Sequence, residues 1–344
     1  MNPIISVIIN TYNYGRFIEE AIDSVLAQDF PAEQREIRGV DDGSTDDTAE
    51  RVKKYGDRIR YLYKENGDQC SAVAFGAAHS TGDLLAFLDG DDLWFPNKLS
   101  RVAREFEKHP AVVMVYNKLL YWDSRDNSVW EADEFADVSG DVPSDLRKLL
   151  TYTVASTSAL AFRRDSYKRL AGVPSSRAFS YDIYLNIAAL FLGPVACIPE
   201  PLTKYRVHGG NRWFAGRLSS DPTTIRRRMG RQAAAIEIIR DWAVANVPES
   251  LPKVDILLDR WRLHQRSDGF QLRSPGRLQS FLHHARYNLI YGPVMTPGTR
   301  AYSWAYAFVI LLVGKHAHYM EGARTRARRI AAYFRQRLGP AETQ

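Results

Sequence analysis

The chain opens on Ile4-Ile5-Ser6-Val7-Ile8-Ile9, a nearly continuous apolar run of the kind a strand buried on both faces presents. Behind it Phe17, Ile18, Ala21, Ile22, Val25 and Leu26 recur at three- and four-residue spacing and predict an amphipathic helix. The alternation repeats. A strand over 37–40 runs into Asp41-Asp42-Gly43-Ser44, and a helix capped by Thr45 or Asp46 reaches about Tyr55. A short strand over 60–63 follows, then a helix over 71–79 that stops at Thr81-Gly82-Asp83. The next strand, over 84–88, ends on Asp89-Gly90-Asp91-Asp92. Strands and helices in this order predict an open α/β sheet, mostly parallel and flanked by helices. Ligands of such sheets sit at the carboxyl ends of the strands. Three polar clusters fall there: Asn10 to Asn13, Asp41-Asp42 and Asp89 to Asp92.

Beyond residue 110 the pattern is mixed. Strands are expected over 112–116 and 156–162, with a polar, loop-rich insertion over 122–141. After Asn211 the periodicity turns helical and Arg-rich, with segments near 225–247, 255–266 and 275–290. Charge sharpens the division. Residues 1–210 hold 24 Lys and Arg against 31 Asp and Glu; residues 211–344 hold 22 against 9. An acidic half fits a site for a divalent cation, and a basic half fits an anionic partner. Two cysteines, Cys70 and Cys197, are too few for a disulfide framework and form no metal cluster. A reducing compartment and, in the absence of a basic start followed by a long apolar stretch, no signal peptide are expected.

The island Asp89-Gly90-Asp91-Asp92 lies between Leu84–Leu88 and Leu93-Trp94-Phe95-Pro96. Three carboxylates in four residues repel one another unless a cation sits among them. Hard oxygen ligands suit Mg²⁺ or Mn²⁺, which also bridges a diphosphate. A solvated acidic turn with capping roles is the structural alternative. In Asp41 to Asp46 a strand-end carboxylate can accept a hydrogen bond from a base ring N–H, and the following helix N-terminus favours anions. From these residues alone a plain strand-to-helix turn with a capping Asp is the preferred reading.

Taken together, Ser6 to Asn13, Val40 to Asp46, the stretch Gly67 to Ala72 with Gly76, and Gly82 to Asp92 resemble the family 2 glycosyltransferases over about residues 3–210. The resemblance implies a GT-A fold, an inverting, metal-dependent transfer and a nucleotide-sugar donor, UDP-sugar favoured, with Mn²⁺ or Mg²⁺. It divides the chain into a catalytic domain over 1–212, nucleotide-sugar binding over about 1–110 and the acceptor side over 111–212. A basic, mainly helical appendage covers 213–344. It places Asn10 and Tyr12 beside the base, and Asp42 on the base edge. Asp91 becomes the direct metal ligand and Asp89 a ribose or metal contact. In Tyr205 to Asn211 the family block puts Arg206 and His208 near the diphosphate, His208 as a metal ligand or a structural histidine. Asp182 falls at the general base, although Tyr181 stands where an acidic residue is usual. Arg38, in a strand that is usually apolar, is a second departure and marks an edge position or a local distortion.

The acceptor is expected to be a saccharide or a lipid-linked saccharide, in cell-surface polysaccharide or glycolipid synthesis. Ala301 to Gly314 is shorter than the roughly 20 residues of a spanning helix. It suits an interfacial helix or a buried one, and the Arg-rich 322–338 suits an anionic lipid surface. A cytoplasmic location, with 300–338 peripheral on the cytoplasmic face of the membrane, is the corresponding expectation. The competing classes are a nucleotidyltransferase and a non-catalytic anion or nucleic-acid binder working through the basic tail. The first wants a Gly-rich basic loop after the first strand, for which Asn13-Tyr14-Gly15-Arg16 is a poor match. The second lacks a stacking surface, and no nucleic acid is expected as partner.

Overall fold

The structure is a computed structural model that describes residues 4–131, 138–145, 154–173, 179–211 and 222–259. The expected helix near 275–290, residues 260–266 of the one expected before it and the segment 300–338 lie outside the described residues. Among the described residues no helix is long and apolar enough to cross a membrane.

The nearly unbroken apolar runs form strands of one sheet: β1 (Ile5–Thr11), β2 (Arg35–Asp41), β3 (Arg60–Tyr63) and β4 (Leu84–Asp89), all mutually parallel in the order β3-β2-β1-β4. The sheet continues through β8 (Leu160–Arg163), β6 (Met114–Asp123), β9 (Val195–Val207) and β5 (Leu93–Trp94), with β7 (Val129–Glu131) paired to β6. Parallel pairing thus belongs to the part ending at Asp89; beyond it the pairings are mixed, because β8 runs antiparallel to both β4 and β6. The polar insertion expected over 122–141 contains β7 and its turn from β6, and Tyr121 stacks on Trp130 across this hairpin.

Helices α1 (Gly15–Leu26), α2 (Thr48–Lys53), α3 (Gln69–Ala78) and α4 (Lys98–Lys108) connect these strands. Two cores result. One lies under α1 and α4 and holds Ile5, Val7, Ile9, Ile18, Ile22 and Phe106. The other takes the opposite strand faces, such as Ile8, Val40 and Phe87. Gly76 lets α3 lie flush on the sheet: a Cβ there would come within 2.6 Å of Ile8 Cγ2 and 2.8 Å of Val40 Cγ2. Asp46, expected as a cap, accepts the Thr48 N–H at 3.0 Å ahead of α2.

Arg38 is neither at an edge nor distorted. Strand β2 lies between β1 and β3, and Arg38 is buried there. Its guanidinium pairs with Glu36 and donates to the His79 carbonyl at 2.8 Å, so the charge is met inside the sheet.

The second core also receives α5 (Arg164–Leu170), α6 (Tyr181–Ala189) and α7 (Pro222–Asn246), the last being the first helix of the expected appendage. Ile236, Ile239, Trp242 and Ala243 of α7 pack on α6, and Trp242 Nε1 donates to the Arg169 carbonyl at 3.0 Å.

Candidate active site

Sheet register brings the polar clusters together. Asn10 pairs with Val40 on one side and Asp89 on the other, and Thr11 pairs with Asp41, so all three clusters leave the sheet at one edge. They open on a cavity of about 360 Å³. Asn10, Tyr12, Asp42, Asp89, Asp91 and Asp182 all line it. Arg206 and His208 do not; they stand behind Asp91.

The three aspartates of the acidic island have separate surroundings. Asp89 Oδ1 accepts from Asn10 Nδ2 at 2.9 Å and Gln69 Nε2 at 2.7 Å. Burial, then the charge of Asp91, pushes the Asp89 carboxyl up to about 7. Asp91 Oδ2 sits 3.0 Å from His208 Nε2, and Arg206 Nε donates to the Asp91 carbonyl at 2.8 Å. The Arg206 guanidinium stacks between Phe17 and Trp122 and pairs with Glu20 at 3.0 Å. Arg206 therefore holds the loop that carries Asp91.

Asp92 turns inward and is a clasp. Its Oδ1 accepts the Arg206 N–H at 2.9 Å and its Oδ2 the Ser158 hydroxyl at 2.6 Å, while Ser158 Oγ accepts the Asp89 N–H at 3.0 Å. Burial, then the charges of Asp91 and Asp89, raises its carboxyl well above the usual range. Beneath it lies Lys98, fully buried. Its Nζ donates to Asn117 Oδ1 at 2.6 Å, the Ser158 carbonyl at 2.9 Å and Thr203 Oγ1 at 3.1 Å. Burial lowers the amine well below its ordinary value. Lys98→Met removes all three bonds and leaves Asn117 Oδ1 without its donor, at about 1–3 kcal/mol before relaxation, while the Ser158 carbonyl keeps Trp94 Nε1 and Thr203 Oγ1 keeps Asn117 Nδ2. A net loss of about 3 kcal/mol, a fall in Tm of roughly 6–12 °C, is expected in thermal unfolding. A Tm unchanged by the substitution would refute this account of the network.

Asp182 heads α6, where its Oδ1 accepts the Ile183 N–H at 2.9 Å, and burial raises its carboxyl. Asn186 ties this turn to residue 155 through both the Ala155 N–H and carbonyl. Tyr181, which takes the usual acidic position, turns into the core and shares a 2.8 Å hydrogen bond with the Tyr167 hydroxyl.

These raised carboxyls have a consequence for pH. Asp89, Asp92 and Asp182 all hold protons more tightly folded than unfolded. Their effect on stability is absent below the unfolded pKa near 4 and becomes increasingly unfavourable as pH rises toward the folded value, about 7 for Asp89. Metal-free protein is expected to lose Tm between pH 5 and pH 7.5, by up to about 1.4 kcal/mol per pH unit per group. Calorimetry in a chelating buffer reads this, and a flat or rising Tm over that window contradicts it.

Among the described residues no group of three or more His, Cys, Asp or Glu side chains is gathered to hold a metal ion. The 3.0 Å between Asp91 Oδ2 and His208 Nε2 nevertheless fits two ligands of one cation, since bonds of about 2.1 Å at right angles end about 3 Å apart. Two protein ligands completed by substrate oxygens is how Mg²⁺ is commonly held. The residues present therefore fit the expected cation.

Residues without an assigned role also line the cavity: Asp68, Gln69, Thr157 and Arg231. Gln69 was legible as part of the Gly67–Ala72 block. Arg231 was not, because nothing in an Arg-rich helical pattern says which turn of α7 returns to the sheet edge.

Fold and site together define an α/β domain with an acidic cleft at the carboxyl edge of its sheet. The sequence model of glycosyl transferase family 2 matches residues 6–171, just under half of the chain, and identifies that stretch as a domain of the family. An uncharacterized glycosyltransferase of Nostoc sp. is 34% identical over 217 residues, which are 60% of this chain and 66% of that protein. The chain thus spans just under two thirds of that relative's length. Among solved structures, TarS 1–349 of S. aureus in complex with UDP-GlcNAc superposes with a TM-score of 0.54 at 17% identity, over 90% of this chain and 92% of that one. The mannosyltransferase PcManGT of Pyrobaculum calidifontis, in complex with GDP-Man and Mn²⁺, gives 0.50 at 19% identity over 91% and 88%. These likenesses show the GT-A fold.

Proposed function

We propose that the protein transfers a sugar from a nucleotide-diphosphate sugar, UDP-sugar favoured, to a saccharide or lipid-linked acceptor, with inversion and with a divalent cation. The observation that carries this is the convergence of Asp42, Asp89, Asp91 and Asp182, from four distant segments, on one cavity at the sheet's carboxyl edge. The solved neighbours bind UDP-GlcNAc and GDP-Man with Mn²⁺, which supports the donor class.

The chemistry follows from charge. The leaving nucleoside diphosphate gathers negative charge, and a cation held by Asp91 and His208 would supply the compensating field. Asn10 and Gln69 fix Asp89 beside it. Asp182 takes the proton of the attacking hydroxyl; burial raises its pKa toward working pH and makes it a stronger base. Attack from the side opposite the leaving group inverts the anomeric centre without a covalent enzyme intermediate.

A nucleotidyltransferase would need free N–H groups after β1 to cradle a triphosphate. Here the Gly15 N–H is taken by Asp46 Oδ2 at 3.0 Å and the Asn13 N–H by Ser44 Oγ at 2.9 Å. Thermal shift against nucleoside diphosphates with and without Mn²⁺ tests the proposal. UDP with Mn²⁺ is expected to raise Tm by several degrees, as about 2.7 kcal/mol of linkage at 100 times Kd implies. No stabilisation by any nucleoside diphosphate would sink it.

A further inference from the structure

The cavity wall is acidic with one exception. Asp42, Asp68, Asp89, Asp91 and Asp182 line it, and among the described residues Arg231 of α7 is the one cation that does. Its place follows from the helix. The buried side of α7 carries Ala235, Ile236, Ile239, Trp242 and Ala243, which pack into the second core. Arg231 comes about three turns before Trp242, so the two side chains leave the helix on the same side. Exposed Arg226, Arg227 and Gly230 mark the outer side. The inward stripe is thus apolar where it covers the core and turns to a half-buried arginine where it passes the cavity. A charge placed for solvation alone belongs on the outer side.

Holding the base does not account for this arginine. The influences on the Asp182 carboxyl are burial first, then the Ser180 hydroxyl and the backbone N–H groups at the helix start, and no cation is among them. The diphosphate end of the cavity is marked by the Asp91–His208 pair, with Arg206 behind it. Helix α7 packs instead on α6, which Asp182 heads, and that is the side from which the acceptor hydroxyl comes. Five carboxylates repel any anion that enters. A neutral saccharide needs no compensating cation there; one that carries phosphate or carboxylate does. A guanidinium has five N–H donors in a planar fork, enough to meet an oxyanion while keeping a protein partner.

We infer that Arg231 binds an anionic group of the acceptor, phosphate or carboxylate, beside the hydroxyl that Asp182 deprotonates. This rests on the nucleotide-sugar reading above and adds to it the charge class of the acceptor.

The test keeps the donor site filled with UDP and Mn²⁺ and asks what else binds. Glycerol phosphate and glycerate are the probes and glycerol the uncharged control, each titrated by thermal shift at matched ionic strength. Wild type is expected to be stabilised by at least one of the anions more than by glycerol at the same concentration. Arg231→Gln is expected to raise the probe concentration for half the shift by about tenfold or more, as loss of a charge-assisted hydrogen bond implies, with the Kd for UDP within about threefold of wild type. Arg231→Lys keeps the charge without the fork and is expected to move that midpoint by a smaller factor; it serves as the test where glutamine unsettles the fold. A wild type that responds to the anions no more than to glycerol, or a midpoint unchanged by either substitution, overturns the inference. So does a loss of UDP affinity of about tenfold with the probe response intact, which gives Arg231 to the donor's diphosphate. These outcomes leave the transferase reading in place, whereas a wild-type protein that binds no nucleoside diphosphate overturns both.

Discussion

Asp91→Ala is expected to abolish metal-dependent nucleotide binding and to cut kcat/KM by about 10³-fold or more, the equivalent of about 4 kcal/mol. The expectation rests on how little could replace it. Asp89 is already engaged by Asn10 and Gln69, and Asp92 is turned inward onto Arg206 and Ser158. His208 alone would leave a cation one protein ligand. The substitution also separates chemistry from folding. The charge of Asp91 raises the carboxyls of Asp89 and Asp92, so its removal relieves a like-charge contact in a buried place. The metal-free variant is expected to be at least as stable as wild type near pH 7. An inactive variant with a preserved Tm satisfies the account, whereas one that keeps a tenth of wild-type turnover at saturating Mn²⁺ contradicts it.

The parallel half of the sheet was legible because a strand covered on both faces needs a nearly continuous apolar run, and Ile5–Ile9, broken only by Ser6, and Leu84–Leu88 supply one. The convergence at the carboxyl edge follows from the same parallel order. The individual tasks of adjacent aspartates do not. Asp89, Asp91 and Asp92 are alike as letters, and only the packing of Ser158 and the Arg206 backbone turns Asp92 away from the cavity. The same holds for Asp42. It reads as a ligand contact from its place at a strand end, and it does line the cavity, but the donors that hold its carboxylate there come from residues 22 to 26 positions later. Lys98 is hidden for a related reason. At the start of an amphipathic helix a lysine reads as solvent-facing, and the three acceptors that surround it come from β6, β9 and the turn before β8. Arg38 misled in the opposite direction. It looked like a flaw in an apolar strand because its partners, Glu36 and the His79 carbonyl, are not visible to a hydrophobic pattern.

Asp182→Asn is expected to lower kcat by about 10²–10⁴-fold while leaving the Kd for UDP within about threefold of wild type. Asparagine has the size of aspartate, and its side-chain oxygen can keep the Ile183 N–H bond at the head of α6. What it cannot do is take a proton. Opposed influences act on the native carboxyl: burial raises its pKa, and the Ser180 hydroxyl, followed by the backbone N–H groups at the helix start, lowers it, with burial the larger. The wild-type kcat/KM should therefore climb with pH up to that raised value and level off above it. In the Asn variant the residual rate should have lost this limb, since the group that titrates is gone. Rapid-quench turnover across pH 5–9, with UDP affinity measured alongside, reads both effects. Full turnover with an unchanged acid limb would move the base to another carboxylate of the same cavity, and Asp182 would then be no more than the residue that starts α6.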